Sequence, residues 1–264
     1  MRQVCVLLVA FGCGRFDFAP QARVSDGGAS AGDTATSTAD ASNPDAPLDP
    51  SLVAWWRMTA LVPVAGGSGV VESTGITMSP ASCAGPTCPT IVSGGHDGLE
   101  TSEFDGSATM LAAASAAPLI DTTFTIAVWV NNEVANGGCY MTKGLGSGFY
   151  NSWALCNDDT NNQVFFYTCT GSAADTLMPG NVVPAGSWHH IAGTWDGGSK
   201  TLYLDGNKLG DSQPPSVEFD DDSVYIGGDV DNGAPTSFLP GRLDDVRVYN
   251  RALSPSEIAA LAAQ

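Results

Sequence analysis

Between Trp188 and Ile258 the chain reads WHHIAGTWDGGSKTLYLDGNKLG, then VYIGGDVDNGA, then GRLDDVRVYNRALSPSEI. Short apolar runs are cut by glycine turns, and the stretch closes on a capped helix. Turns this closely spaced leave no room for the helices that alternate with strands in an α/β core. The pattern predicts an all-β chain: a two-sheet antiparallel β-sandwich with a short C-terminal helix. In such a fold the chemistry is carried by loops.

The two-residue period supports this reading. Ile191, Gly193 and Trp195 fall on one side of a strand, Leu202 and Leu204 on one side of the next, and Val224/Ile226 and Val246/Val248 repeat the pattern. Asp196-Gly197-Gly198 and Asp205-Gly206-Asn207 accept positive φ and read as tight turns. Upstream, strands are expected at Leu52–Trp56, Val70-Val71, Ile76–Met78, Leu99–Phe104, Thr109–Ala113, Phe124–Val130, Tyr140–Lys143, Ser152–Cys156 and Val164–Thr168. Ser254-Pro255-Ser256-Glu257 has the form of a capping box with proline at the first helical position, and Ile258 with Leu261 gives the helix an apolar stripe.

The first 50 residues are of another kind. Arg2 followed by the apolar run Val4–Phe11 reads as an export signal over residues 1–12, too short to span a bilayer as a mature helix. Ala10-Phe11-Gly12-Cys13 resembles a bacterial lipobox, which implies cleavage before Cys13 and lipid on that cysteine; Ala10 and Phe11 depart from the usual pattern, and a plain secretory signal is the alternative. Without an aspartate directly after Cys13, the resemblance implies an outer-membrane or cell-surface lipoprotein of a Gram-negative cell. Residues 13–50 are rich in Ala, Ser, Thr, Asp, Gly and Pro, too poor in apolar surface to offset ordering entropy, and read as a disordered tether. One folded domain, residues 51–264, remains. A formal charge of −18 excludes nucleic acid and anionic membrane surfaces as partners, leaving the lipid as the membrane contact.

FTIAVWV (Phe124–Val130), WHHIAGTWDGGSKTLYLDG (Trp188–Gly206) and GRLDDVRVYNRALSPSEI (Gly241–Ile258) resemble the laminin-G-like jelly roll of the concanavalin A-like lectin and glucanase superfamily, in which pentraxins are relatives. The resemblance implies two antiparallel sheets face to face, and it points to a calcium site. Pentraxins place acidic and amide ligands just after an Ile-Gly or Leu-Gly strand end, where this chain has Ile226-Gly227-Gly228-Asp229-Val230-Asp231. Asp229 and Asp231 are the implied ligands, joined by Asn151; Tyr150 stands where the family has an acid, which departs from a two-calcium site. Oxygen-rich side chains suit that ion. The same aspartates also suit an ordinary turn. Glu72 with Asp244 or Asp245 is a weaker cation candidate near the termini.

Three functional classes follow. The first is a surface-anchored, non-catalytic recognition or adhesion module that binds a glycan or an extracellular protein through its loops, with calcium assisting and an aromatic such as Tyr150 as a stacking face. The second is a carbohydrate hydrolase, which requires two carboxylates across the scissile bond. Glu218-Phe219-Asp220-Asp221-Asp222 lacks the second glutamate of the Glu-x-Asp-x-Glu pattern that glycosidases of this superfamily carry, so no catalytic residue is assigned. The third is a purely structural envelope protein. His189 and His190 face opposite ways on one strand, and His96 sits in a glycine loop without a pattern. Five cysteines beyond Cys13 agree with an oxidising compartment. Cys83 pairs with Cys88 across a Gly-Pro turn, and Cys139 with Cys156 across a hairpin, leaving Cys169 over; Cys156 with Cys169 is the competing choice.

Overall fold

The computed structural model describes residues 48–76, 79–115, 122–134, 137–146, 150–169, 174–214 and 216–264. The export signal, Cys13 and the tether to residue 47 lie outside the described residues, as do Thr77 and Met78. Two large antiparallel sheets pack into a sandwich. The eight-stranded sheet runs, edge to edge, Asn207–Ser212, Lys200–Leu204, His189–Trp195, Phe124–Asn132, Pro240–Tyr249, Glu100–Asp105 and Thr90–Ser93, with Leu52–Trp56 also paired to Pro240–Tyr249. The nine-stranded sheet runs Ala174–Leu177, Val164–Cys169, Tyr150–Asn157, Gly138–Leu145, Val224–Ile226, Leu111–Ala113, Ala81–Cys83, Gly67–Val70 and Val62–Val64.

Alternation builds the core. Phe124, Ile126, Val128 and Val130 point inward from one sheet and meet Tyr140, Met141, Trp153, Leu155 and Phe166 from the other. The Phe124 ring lies 6.0 Å from Trp153 and edge-on to Phe166 at 6.2 Å. Each such side chain contributes about 1.5–3 kcal/mol by leaving water. Gly193 makes room for this packing, since a Cβ there would meet the Phe166 ring at 3.0 Å.

The same alternation leaves Ala127 and Ala192, cross-strand partners, on the outer face of the eight-stranded sheet. Their small side chains admit the helix Pro255–Leu261, which buries Ile258 and Leu261 among Leu52, Tyr203, Tyr249 and Leu253. Ser254 accepts from the Glu257 backbone N–H while the Glu257 carboxylate takes the Ser254 N–H, the reciprocal box expected from the sequence. Arg251 clamps this corner by pairing with both Glu257 and Asp49. Two disulfides, Cys83–Cys88 and Cys139–Cys156, staple the nine-stranded sheet, and Cys169 stays a buried thiol. Among the described residues no helix is long and apolar enough to cross a membrane.

Candidate functional site

Gly227 begins the site. Its φ of +80° turns the chain sharply after the strand Val224–Ile226, and a Cβ there would stand 2.3 Å from the Phe104 ring, so glycine is required. The turn carries Asp229 over the outer face of the nine-stranded sheet. Thr142, on that face, donates to the Gly228 carbonyl and fixes the crossing. What reads as a loop in the sequence is a two-stranded hairpin, Asp229–Asp231 against Ala234–Thr236, closed by Asn232 and Gly233 at φ of 49° and 75°. Positive φ at both central residues is the hairpin turn that Asn-Gly favours.

Asn151 comes from a different strand, Tyr150–Asn157, and meets this hairpin. Its Nδ2 donates to Asp229 Oδ2 at 2.8 Å, while Asp229 Oδ1 accepts from the Val230 N–H. The side-chain oxygen of Asn151, Oδ1, is buried and has no hydrogen-bond partner. Asp231 completes the group: burial, with the Asp229 charge adding, pushes its carboxyl up to about 6. Asn151 and Asp229 are thus brought together, with Asp231 two residues further along the hairpin strand and within reach of the Asp229 charge. Two carboxylates and one orphaned amide oxygen are a hard, all-oxygen donor set, which suits calcium chemistry.

Tyr150 does not share that face. Neighbouring positions on a strand point to opposite sides, and Asn151 is the one turned toward Asp229. The aromatic beside the hairpin is Tyr225, which lies between the inward-facing Val224 and Ile226 and pairs across the sheet with Thr142. Nearby Asp222 and Asp229 add to burial in raising its phenol. The alternation of Val224 and Ile226 is the sequence signal that turns Tyr225 outward.

Several other acids have partners within the protein. Glu72 accepts from the N–H groups of Trp55, Thr74 and Gly75 and so serves backbone rather than joining Asp244 or Asp245. Asp220 caps the Asp222 and Gly146 N–H groups and pairs with the buried Lys143 ammonium, which also donates to the Asp220 and Asp222 carbonyls. Asp245 binds the Trp55 indole N–H and Arg247. His189 pairs with Asp205, and His190 is buried against Trp129. Asp244 holds His96, a residue without a sequence signal.

Residues 105–259, more than half of the chain, match the laminin-G family model described as the concanavalin A-like lectin/glucanases superfamily. The chain belongs to this superfamily. No curated protein matches in sequence. Among solved structures it is similar to domain 4 of AbnA, a GH43 extracellular arabinanase from Geobacillus stearothermophilus in complex with arabinotriose. The identity there is 17% and the TM-score 0.61, with 80% of this chain and 98% of that one covered. It is similar also to Trypanosoma rangeli sialidase in complex with difluoro-KDN (21% identity, TM-score 0.60, 81% of this chain and 32% of that one). The binding domain of Paraclostridial mosquitocidal protein 1 is a further structural neighbour (15% identity, TM-score 0.57, 80% and 52%). The chain therefore spans about half of the toxin domain and a third of the sialidase. At these identities the likeness is one of fold. Within this superfamily fold, the face carrying Asn151, Asp229 and Tyr225 lies outside the sandwich and opposite the helix-covered face.

Proposed function

We propose that the domain is a non-catalytic recognition module that binds carbohydrate at the hairpin Asp229–Thr236, assisted by calcium. The observation that carries this reading is the buried Asn151 carboxamide, whose nitrogen donates to Asp229 and whose oxygen has no hydrogen-bond partner. A buried acceptor without a donor costs about 1–3 kcal/mol, and a cation bound there would remove that cost. Asn151, Asp229 and Asp231 would hold the ion, and the ion would supply a Lewis-acidic contact to vicinal sugar hydroxyls. Tyr225 offers a ring face for the apolar side of a sugar. Support also comes from the neighbours: the arabinanase domain is in complex with arabinotriose, and the toxin domain is named as a binding domain.

Hydrolysis is the less favoured reading, since Asp220 is engaged with Lys143 and backbone amides rather than facing a partner carboxylate. In this proposal the chain is exported and held to the outer membrane or cell surface through lipid on Cys13; the two disulfides agree with an oxidising compartment.

The test is calcium-dependent melting combined with a glycan array. Calcium should raise the melting temperature of the wild type and leave Asp229→Asn unmoved, and glycan binding should fall with chelator. Absence of both the calcium shift and glycan binding would defeat the reading. Sugar release from polysaccharide, abolished by Glu218→Gln, would replace it with the enzyme reading.

A further inference from the structure

On the opposite face of the sandwich a second group of ligand atoms converges. The loop between the strands Thr90–Ser93 and Glu100–Asp105 folds over the outer face of the eight-stranded sheet, held by the Gly94 and Gly95 N–H groups on the Leu99 carbonyl. This sets His96 flat on Trp129, with ring centroids 4.6 Å apart and an interplanar angle of 15°, while Trp188 meets the imidazole edge-on and donates its indole N–H to the Gly94 carbonyl. The ring is thereby fixed with Nδ1 3.0 Å from Asp244 Oδ2, which also accepts the His96 N–H. Asp97, exposed at the loop tip, turns its carboxylate toward the same point, and one ligand atom from each of His96, Asp97 and Asp244 lies within 4.8 Å of the others. We propose that His96, Asp97 and Asp244 bind a divalent cation of the zinc class through one imidazole and two carboxylates, with a further coordination position open to solvent.

Three observations carry this. The Nδ1 to Oδ2 separation of 3.0 Å is close to what two ligands of one small ion adopt, since metal–nitrogen and metal–oxygen bonds of roughly 2.0–2.2 Å place neighbouring ligands about 3 Å apart. The cluster sets two carboxylates against one imidazole, with Asp244 2% exposed. Finally, His190 packs edge-on against the same Trp129, 2% exposed and with Nδ1 lacking any hydrogen-bond partner. Gly95 keeps the cradle open, because a Cβ there would stand 2.5 Å from Asp244 Oδ2 and 3.2 Å from Asp97 Oδ1. An imidazole ligand selects a zinc-type ion over calcium, which takes oxygen alone. The bound ion would tie the loop around His96 to the strand Pro240–Tyr249.

Untagged, chelator-treated protein titrated with zinc in a calorimeter, and with cobalt while tryptophan fluorescence is followed, tests the site. One ion per chain is expected, with quenching by cobalt because Trp129 stacks on a ligand. His96→Gln and Asp97→Asn should each weaken zinc binding about tenfold or more, while Asp231→Asn should leave it unchanged. Asp97 is exposed, so its variant keeps the fold even where His96→Gln does not. Absence of zinc and cobalt binding by the wild type, or undiminished binding by Asp97→Asn, would overturn the site. A protein that binds calcium but no zinc would overturn it equally, while failure of calcium binding leaves it standing.

Discussion

At Glu257 a single carboxylate closes the helix cap and the ion pair with Arg251 together, and its acidity records both. The hydrogen bond from Arg251, opposed by burial and aided by the Ser254 N–H, holds it down to about 2. A folded pKa below the unfolded one means that the unfolded chain binds more protons between these values. The stabilisation is therefore complete above the ordinary carboxylate pKa of about 4.3 and is lost as the pH falls toward about 2. Glu257→Gln should destabilise the protein at neutral pH and differ little from wild type near pH 2, read from urea midpoints at both pH values. Ser254→Ala removes the acceptor for the Glu257 N–H and should cost about 1 kcal/mol at neutral pH. Gly227→Ala meets two penalties, positive φ and the Phe104 ring, and should lower the melting temperature more than Ser254→Ala does. The Ser-Pro-Ser-Glu box was legible in the sequence because all its partners lie within four consecutive residues. His96 was not, since its partner Asp244 is 148 positions away and only the finished sheet brings them together.

Elements were read from alternation, and alternation succeeds where one side of a strand is buried. Phe124–Asn132, His189–Trp195 and Lys200–Leu204 stand where Phe124, Ile191 and Leu202 put them. The hairpin after Ile226 escaped because Asp229–Asp231 and Ala234–Thr236 are short, polar and outside the core, so no apolar period marks them. Only the Asn232-Gly233 pair signals it. The Cys139–Cys156 pairing followed from the register of a hairpin, and these residues are cross-strand partners. The two disulfides should differ in their contribution. Cys139–Cys156 spans 17 positions and Cys83–Cys88 only 5, which by loop-closure entropy gives about 3 and about 2 kcal/mol respectively. Cys139→Ser with Cys156→Ser should accordingly lower stability more than the Cys83/Cys88 double variant in matched denaturant titrations. The reverse order would show that strain or residual unfolded structure, not loop length, governs the effect.

In the whole molecule the sandwich separates its two acidic clusters. Asn151 and Asp229 lie outside the nine-stranded sheet, and His96 and Asp244 lie outside the eight-stranded one. Between them run two sheets whose packing alone spans about 10 Å. Sites that share no side chains and lie this far apart should act additively. Calcium and zinc are thus expected to raise the melting temperature by amounts that sum when both are present, with Asp229→Asn erasing only the calcium part and Asp97→Asn only the zinc part. The net charge of −18 is a competing source of any such shift, because a self-repelling polyanion is stabilised by cations that bind nowhere in particular. Salt separates the two. Near 1 M ionic strength the screening length falls to about 3 Å, so diffuse repulsion is largely removed while bonds to a coordinated ion persist. Shifts that survive in high salt and vanish with the matching variant belong to the sites. Shifts that disappear with salt in wild type and both variants alike would reduce both clusters to part of the general negative surface.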